Sequence, residues 1–266
     1  MQSSNSYIPN QATAVLLLGS PGAGKTTFAL QFPKPYLFDA DNNMSGPRRW
    51  MKSQDKADFL YDTGNVKPDG TVVPPFSRWT HMHECLIAAA QSDEVDTIIV
   101  DSLTAIQEYV KDDIFRQRTG AQKMGGGAQV MITEQNRDRG QLTEPEWGIF
   151  ARYFMTLVTT LRTFPKLVVF AAHSESRQKG DHGPWEETLS LQGAMRYKLS
   201  AQFSDCIELV TKTEGGFGNT PLTVSRSFRT LPATEIDKRG LKSSFDLPPV
   251  FTNPQTLFKQ LSNEDA

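Results

Sequence analysis

Residues Gly19-Ser20-Pro21-Gly22-Ala23-Gly24-Lys25-Thr26 fit the pattern G-x-x-x-x-G-K-[ST]. The chemistry of that spacing is phosphate binding. Ala14 to Leu18 is a short apolar run and reads as a buried strand. Thr26 to Gln31 reads as a helix that Pro33 stops. A glycine-rich turn between the two aims several backbone N–H groups at one point, and the helix dipole adds positive potential there. Gly19 through Thr27 would thus cradle a phosphate chain. Lys25 would reach the β- and γ-phosphates, and the Thr26 hydroxyl would hold Mg²⁺.

Hydrolysis needs further groups, and three strand ends offer them. Thr97-Ile98-Ile99-Val100-Asp101 reads as an apolar strand that delivers a carboxylate at its C-terminal end, as in a Walker B element. Asp101 would hold Mg²⁺ through the ion's water shell, or it would simply cap the next helix. A strand over Tyr36 to Asp39 leads into Asp39-Ala40-Asp41-Asn42-Asn43. Asp41, just past the strand, is placed to orient or deprotonate the attacking water, with Asp39 as the alternative. His173 closes the run Leu167 to Ala172 and would sense the γ-phosphate, unless it only caps a strand edge.

Other charged groups are less sharply placed. Lys238 and Arg239 form a basic pair that would serve as an intersubunit finger if exposed at a subunit edge, and would otherwise be a solvated turn. Arg226 and Arg229 allow the same two readings. Residues 211–242 carry six Lys/Arg against three Asp/Glu, so that end is locally basic. Residues 119–145 and 174–190 read as irregular loops. Lys123, Arg137, Arg139, Arg177 and Lys179 would meet a nucleic-acid backbone there, with Trp185 or Phe203 stacking on bases.

The elements that position these groups follow from periodicity. Helices are expected over Ser77–Gln91, about Thr104–Arg118 and Glu146–Phe164; in the last, Trp147, Phe150, Phe154, Leu157, Val158 and Leu161 face the core. Residues 42–75 read as loop-rich, with a turn at Lys67-Pro68-Asp69-Gly70 joining two short strands. Cys206–Lys212 and Leu222–Arg229 read as a closing hairpin. Helices alternating with apolar strands predict an α/β fold: a mainly parallel twisted sheet flanked by helices with a C-terminal β-hairpin. The expected division is a tail over 1–11, a core over 12–245 and a tail over 246–266.

Bulk composition narrows the class. The chain has 266 residues, 38% hydrophobic and 22% charged, with a formal net charge of −2. That suits one domain with a sizeable core. No run of 18 apolar residues and no signal-peptide pattern is present, so a membrane span is not expected. Two cysteines, Cys85 and Cys206, argue against a disulfide framework and fit a reducing cytoplasm.

Taken together, the early P-loop, the strand with its Asp39-x-Asp41 end, Ile98-Ile99-Val100-Asp101-Ser102-Leu103-Thr104 and Ala171-Ala172-His173 resemble the phage-encoded RecA-like ATPases, an AAA-type nucleotide-binding family. The likeness spans roughly residues 12–240, and one branch of the family is the RecA-like single-strand annealing proteins of phage recombination systems. It implies a P-loop RecA-like core that hydrolyses ATP with Mg²⁺. It also implies self-assembly as a ring or filament with ATP between protomers, binding of single-stranded DNA, and annealing or strand pairing. Residues 119–145 and 174–190 then fall where RecA-type proteins place DNA-binding loops. Where the family often carries Glu near position 41, this chain has the shorter Asp. Two other classes share part of the pattern: a P-loop assembly ATPase of phage DNA replication or packaging, and a small-molecule kinase with 119–145 as its lid.

Overall fold

The structure is a computed structural model that describes residues 14–55, 59–123, 141–178, 183–214, 223–232, 237–243 and 250–253. Strand β1 (Ala14–Gly19) is followed by α1 (Lys25–Ala29), β2 (Pro35–Asp39), α2 (Ser45–Ser53) and β3 (Leu60–Thr63). Then come α3 (Arg78–Gln91), β4 (Thr97–Asp101), α4 (Leu103–Lys123) and α5 (Glu144–Leu161). The remainder comprises β5 (Leu167–Gln178), β6 (Trp185–Leu189), α6 (Met195–Lys198), β7 (Asp205–Glu214), β8 (Thr223–Arg229) and β9 (Val250–Phe251).

These strands form one sheet in the order β3-β2-β4-β5-β1-β7-β8-β9, with β6 paired to the far end of β5. From β3 through β7 the pairing is parallel; β8 and β9 add antiparallel pairs. Parallel strands are covered on both faces, which is why β1, β2, β4 and β5 read as near-continuous apolar runs. Their side chains alternate between two cores. Ala14, Leu16 and Leu18 of β1, with Phe38, Val100 and Phe170, pack under α3, α4 and α5. Val15 and Leu17, with Leu37, Ile99 and Val169, pack under Phe28 and Ala29 of α1 and Met51 of α2. Leu17 has no exposed surface, and truncating it to Ala would cost about 2–5 kcal/mol. β5 lies between the P-loop strand β1 and the Asp101 strand β4. That order, with helices on both faces and an antiparallel hairpin at one end, is the mainly parallel α/β architecture that the sequence predicts.

Several boundaries differ from the sequence reading. The stretch 42–75 holds a helix, α2, and an edge strand, β3; only the Val66–Val72 bridge around the Lys67–Gly70 turn matches the expected strand pair. Helix α4 runs on to Lys123, and α5 begins at Glu144, so 119–145 is shortened from both sides; residues 124–140 lie outside the described part. A capping box starts α5, with the Thr143 N–H donating to Glu146 at 2.7 Å. Arg118 of α4 pairs with the same Glu146 through Nε at 2.8 Å, joining the two helices. Where 174–190 reads as a loop, residues 174–178 and Trp185–Leu189 instead pair as an antiparallel arm. β5 continues through His173 to Gln178, and β6 returns along it. Val250–Phe251 pairs with β8, inside the stretch read as a tail. No helix among the described residues is long and apolar enough to cross a membrane.

Candidate nucleotide-binding site

The C-terminal ends of four adjacent strands lie level. Register pairs Gly19 with His173, Asp101 with Ala171, and Asp39 with Asp101. Open α/β sheets bind ligands at this edge. A cavity of about 530 Å³ lies there, lined by P-loop residues, Asp41 to Asn43, Asp101, His173 and Arg226. A nucleotide needs a pocket of that order.

Gly24 caps α1 with φ 97°, and Gly22 has φ 78°. A Cβ at Gly22 would meet nothing within 4 Å, so left-handed backbone, rather than crowding, calls for glycine there. Lys25 is only 5% exposed. Its Nζ donates to the carbonyl oxygens of Gly19 at 3.0 Å and Ser20 at 3.1 Å, and to His173 Nδ1 at 3.1 Å. Burial lowers its pKa, while the charges of Asp101 and Asp41 oppose that shift. A buried ammonium with no carboxylate in its hydrogen-bond shell among the described residues fits an incoming anion, and a phosphate chain supplies one.

The Thr26 hydroxyl donates to Asp101 Oδ2 at 2.5 Å. Asp101 is buried, and burial raises its pKa, with the charge of Asp41 adding and the Thr26 bond opposing. Two hard oxygens side by side would suit Mg²⁺. The Asp101–Ser102 peptide is cis.

A lysine only donates, so His173 Nδ1 accepts, and its proton is assigned to Nε2. Nε2 faces Asp41 Oδ2 at 3.8 Å. One ring thus stands between the P-loop lysine and the carboxylate after β2. The backbone of His173 is clamped too: its N–H donates to Thr104 Oγ1 at 3.0 Å, and its carbonyl accepts from Ser190 N at 2.8 Å. Gln107 braces both partners, donating to the carbonyls of Thr104 and Ser190 at 3.1 Å each.

Asp41 and Asp39 differ sharply. Burial pushes the Asp41 carboxyl up, but His173 and Ser102 favour its charged form, and the net pKa falls below the ordinary carboxylate range. Asp41 lines the cavity. Asp39 is 3% exposed and its Oδ2 has no partner among the described residues. Burial raises its pKa to about 6, against the backbone N–H of Asn43. Asp39 sits behind the cavity wall, so Asp41 is the better placed of the two.

Arg239 lacks the exposure that an intersubunit finger requires. It is 3% exposed; its Nε and Nη2 bind Asp237 at 2.9 and 2.6 Å, and its Nη1 binds Glu208. The Asp that precedes the basic pair, with Glu208 across the fold, turns this arginine inward. Lys238 is exposed, with its backbone N–H donating to Glu187 O at 2.8 Å. Phe203 is 2% exposed and packs edge-on against Phe170, so it does not serve for base stacking, whereas Trp185 is 58% exposed on the arm. Arg177 is exposed on the same arm; Arg137, Arg139 and Lys179 lie outside the described residues. The sequence reading passed over Ser102, Thr104 and Gln107. Ser102 and Thr104 stand in the run quoted after Asp101, and their polar side chains directly after a buried strand were the available signal.

A family model described as an AAA domain matches residues 11–214. No curated protein matches the sequence. Among solved structures, the chain is similar to a KaiC-like protein of the hyperthermophilic archaeon Pyrococcus horikoshii OT3, at 13% identity and TM-score 0.39, covering 85% of this chain and 82% of that one. It is also similar to the RadB recombinase, at 13% identity and TM-score 0.43, covering 88% of this chain and 91% of that one.

Proposed function

The chain belongs to the AAA-domain family, and from that premise we propose that it is a Mg²⁺-dependent RecA-like ATPase that binds single-stranded DNA, assembles with copies of itself and promotes annealing or strand pairing. The phage-encoded annealing proteins that its sequence resembles give the type. The observation that carries the reading is the double position of His173. Its ring meets Lys25 and Asp41, and its backbone opens the β5–β6 arm that bears Arg177 and Trp185. The ring that meets the P-loop lysine and the backbone that leads into the arm thus belong to one residue.

Bound Mg·ATP supplies the phosphoanhydride to be cleaved and the charge that activates it. The backbone N–H groups of Gly22 to Thr27 bind the phosphate chain, and Lys25 balances its charge. Thr26 and Asp101 would hold the cation. Asp41, kept ionised, orients water and takes its proton. His173 holds the Asp41 side and releases Lys25 toward the phosphates. Arg177 and Trp185 suit a backbone phosphate and a base face respectively.

The test is hydrolysis with and without single-stranded DNA, together with DNA binding in a slowly hydrolysed analogue at low salt. Stimulated turnover and analogue-dependent binding are expected. Absence of DNA binding in every nucleotide state sinks the DNA part. Phosphate transfer to a nucleoside without DNA would replace the reading with a kinase.

A further inference from the structure

Arg226 of β8 lies at the outer wall of the P-loop. Its Nε donates to the carbonyl oxygen of Ala23 at 3.2 Å. The same nitrogen is 3.3 Å from where a side chain at Gly24 would begin. Thr211 of β7 approaches the same carbonyl at 3.5 Å, so both strands of the hairpin lean on this turn. Arg226 is exposed and lines the nucleotide cavity beside Gly24 and Thr27. Its Nε is spent on the loop, which fixes the plane of the guanidinium. Nη1 and Nη2 have no hydrogen-bond partner among the described residues.

We infer that Arg226 is a nucleotide ligand from the same chain, which presents its terminal amino groups to the phosphate chain bound by the P-loop. The inference rests on the nucleotide-binding reading of the cavity. Three observations point to phosphate rather than base. The anchor is on the turn that encloses the phosphates. A planar fork with two free N–H ends suits a pair of phosphate oxygens. Lys25 lies on the inner side of the loop, held by Gly19, Ser20 and His173, which leaves the outer side without another described cation in the cavity lining. Arg226 would add to nucleotide affinity without entering the hydrolytic step, because Asp41 and Asp101 lie across the cavity from the hairpin.

The experiment measures affinities for ADP, ATP and inorganic tripolyphosphate in wild type, Arg226→Ala, Arg226→Lys and Lys25→Ala. Melting temperatures are taken without nucleotide. A charge-assisted contact predicts about a tenfold or greater loss for all three ligands in Arg226→Ala. Partial recovery of affinity in Arg226→Lys, with the nucleotide-free melting temperatures of both variants lowered alike by loss of the Ala23 bond, completes the expected pattern. Wild-type affinity in Arg226→Ala overturns the inference. A loss for ADP with none for tripolyphosphate also overturns it, since the contact would then be to base or ribose. Binding as weak in Arg226→Lys as in Arg226→Ala, with the same lowered nucleotide-free melting temperature, makes Arg226 a brace of the loop and overturns it as well. Wild type binding no better than Lys25→Ala would instead sink the nucleotide site itself.

Discussion

Nδ1 of His173 accepts a hydrogen bond from Nζ of Lys25 at 3.1 Å, joining the strand before the β5–β6 arm to the P-loop. An incoming phosphate competes for the same ammonium. The imidazole must then turn to a new partner, and the clamp by Thr104 and Ser190 confines that turn to the side chain. His173→Ala should leave ATP affinity within about threefold, because Lys25 keeps its phosphate contacts. Turnover should fall about tenfold, and DNA should no longer stimulate it. Turnover assays with a DNA titration decide; stimulation that survives in the variant refutes the coupling.

The strand ends were legible because their chemistry is written in consecutive residues. Gly19 to Thr26, Val100-Asp101 and Ala172-His173 each end a buried run with polar groups, and a parallel sheet must bring such ends together. Arg239 was not legible. Its inward turn depends on Glu208, which lies 31 positions earlier and meets it only when β7 is in place. The arm over 174–190 was missed for a related reason. Its strands are half-exposed and polar, so no apolar alternation marks them, and pairing with β6 alone makes Ser174 to Gln178 a strand. Helix α2 was hidden by Gly46 and Pro47 in its first turn, which read as loop residues although Pro is well tolerated there.

Asp41→Asn keeps the size of the side chain and removes the base. Turnover should drop about a hundredfold with ATP affinity intact, as expected for a lost general base. Asp39→Asn should retain most of its turnover, because that carboxyl lies behind the cavity wall. Lys25→Ala, which removes the phosphate anchor, should lose nucleotide binding in the same assay. A turnover loss confined to Asp39→Asn would move the water-activating role to Asp39.

Asp39 also has a consequence for stability. Its pKa is raised from 3.8 to about 6, so between those values the folded chain holds a proton that the unfolded chain releases. The contribution of Asp39 to stability therefore falls as pH rises through that window. Relative to Asp39→Asn, the wild type should lose on the order of 3 kcal/mol between pH 4 and pH 7. Denaturant melts in chelator, without nucleotide, measure the difference. Asp101 is raised too, but it is present in both proteins. Parallel stability curves for the two proteins would refute the burial of the Asp39 carboxyl.

Lys238 and Arg239 are adjacent in sequence and opposite in role. Arg239→Ala would take the guanidinium from the buried carboxylate of Asp237 and from one oxygen of Glu208, whose other oxygen keeps Arg229, at a cost of about 3 kcal/mol. Thermal melts should show that loss before any assay of turnover is read. Because the defect lies within one chain, wild-type protomers mixed in should not repair it. Lys238→Ala removes an exposed side chain and should change stability by less than about 0.5 kcal/mol. If Lys238 reaches a neighbour's phosphates, this variant should turn over slowly alone and recover in mixed assemblies, in proportion to the wild-type fraction. A Lys238→Ala protein with full turnover leaves neither member of the basic pair as a finger. The search would then pass to other exposed cations, of which Arg177 on the β5–β6 arm is the first to test.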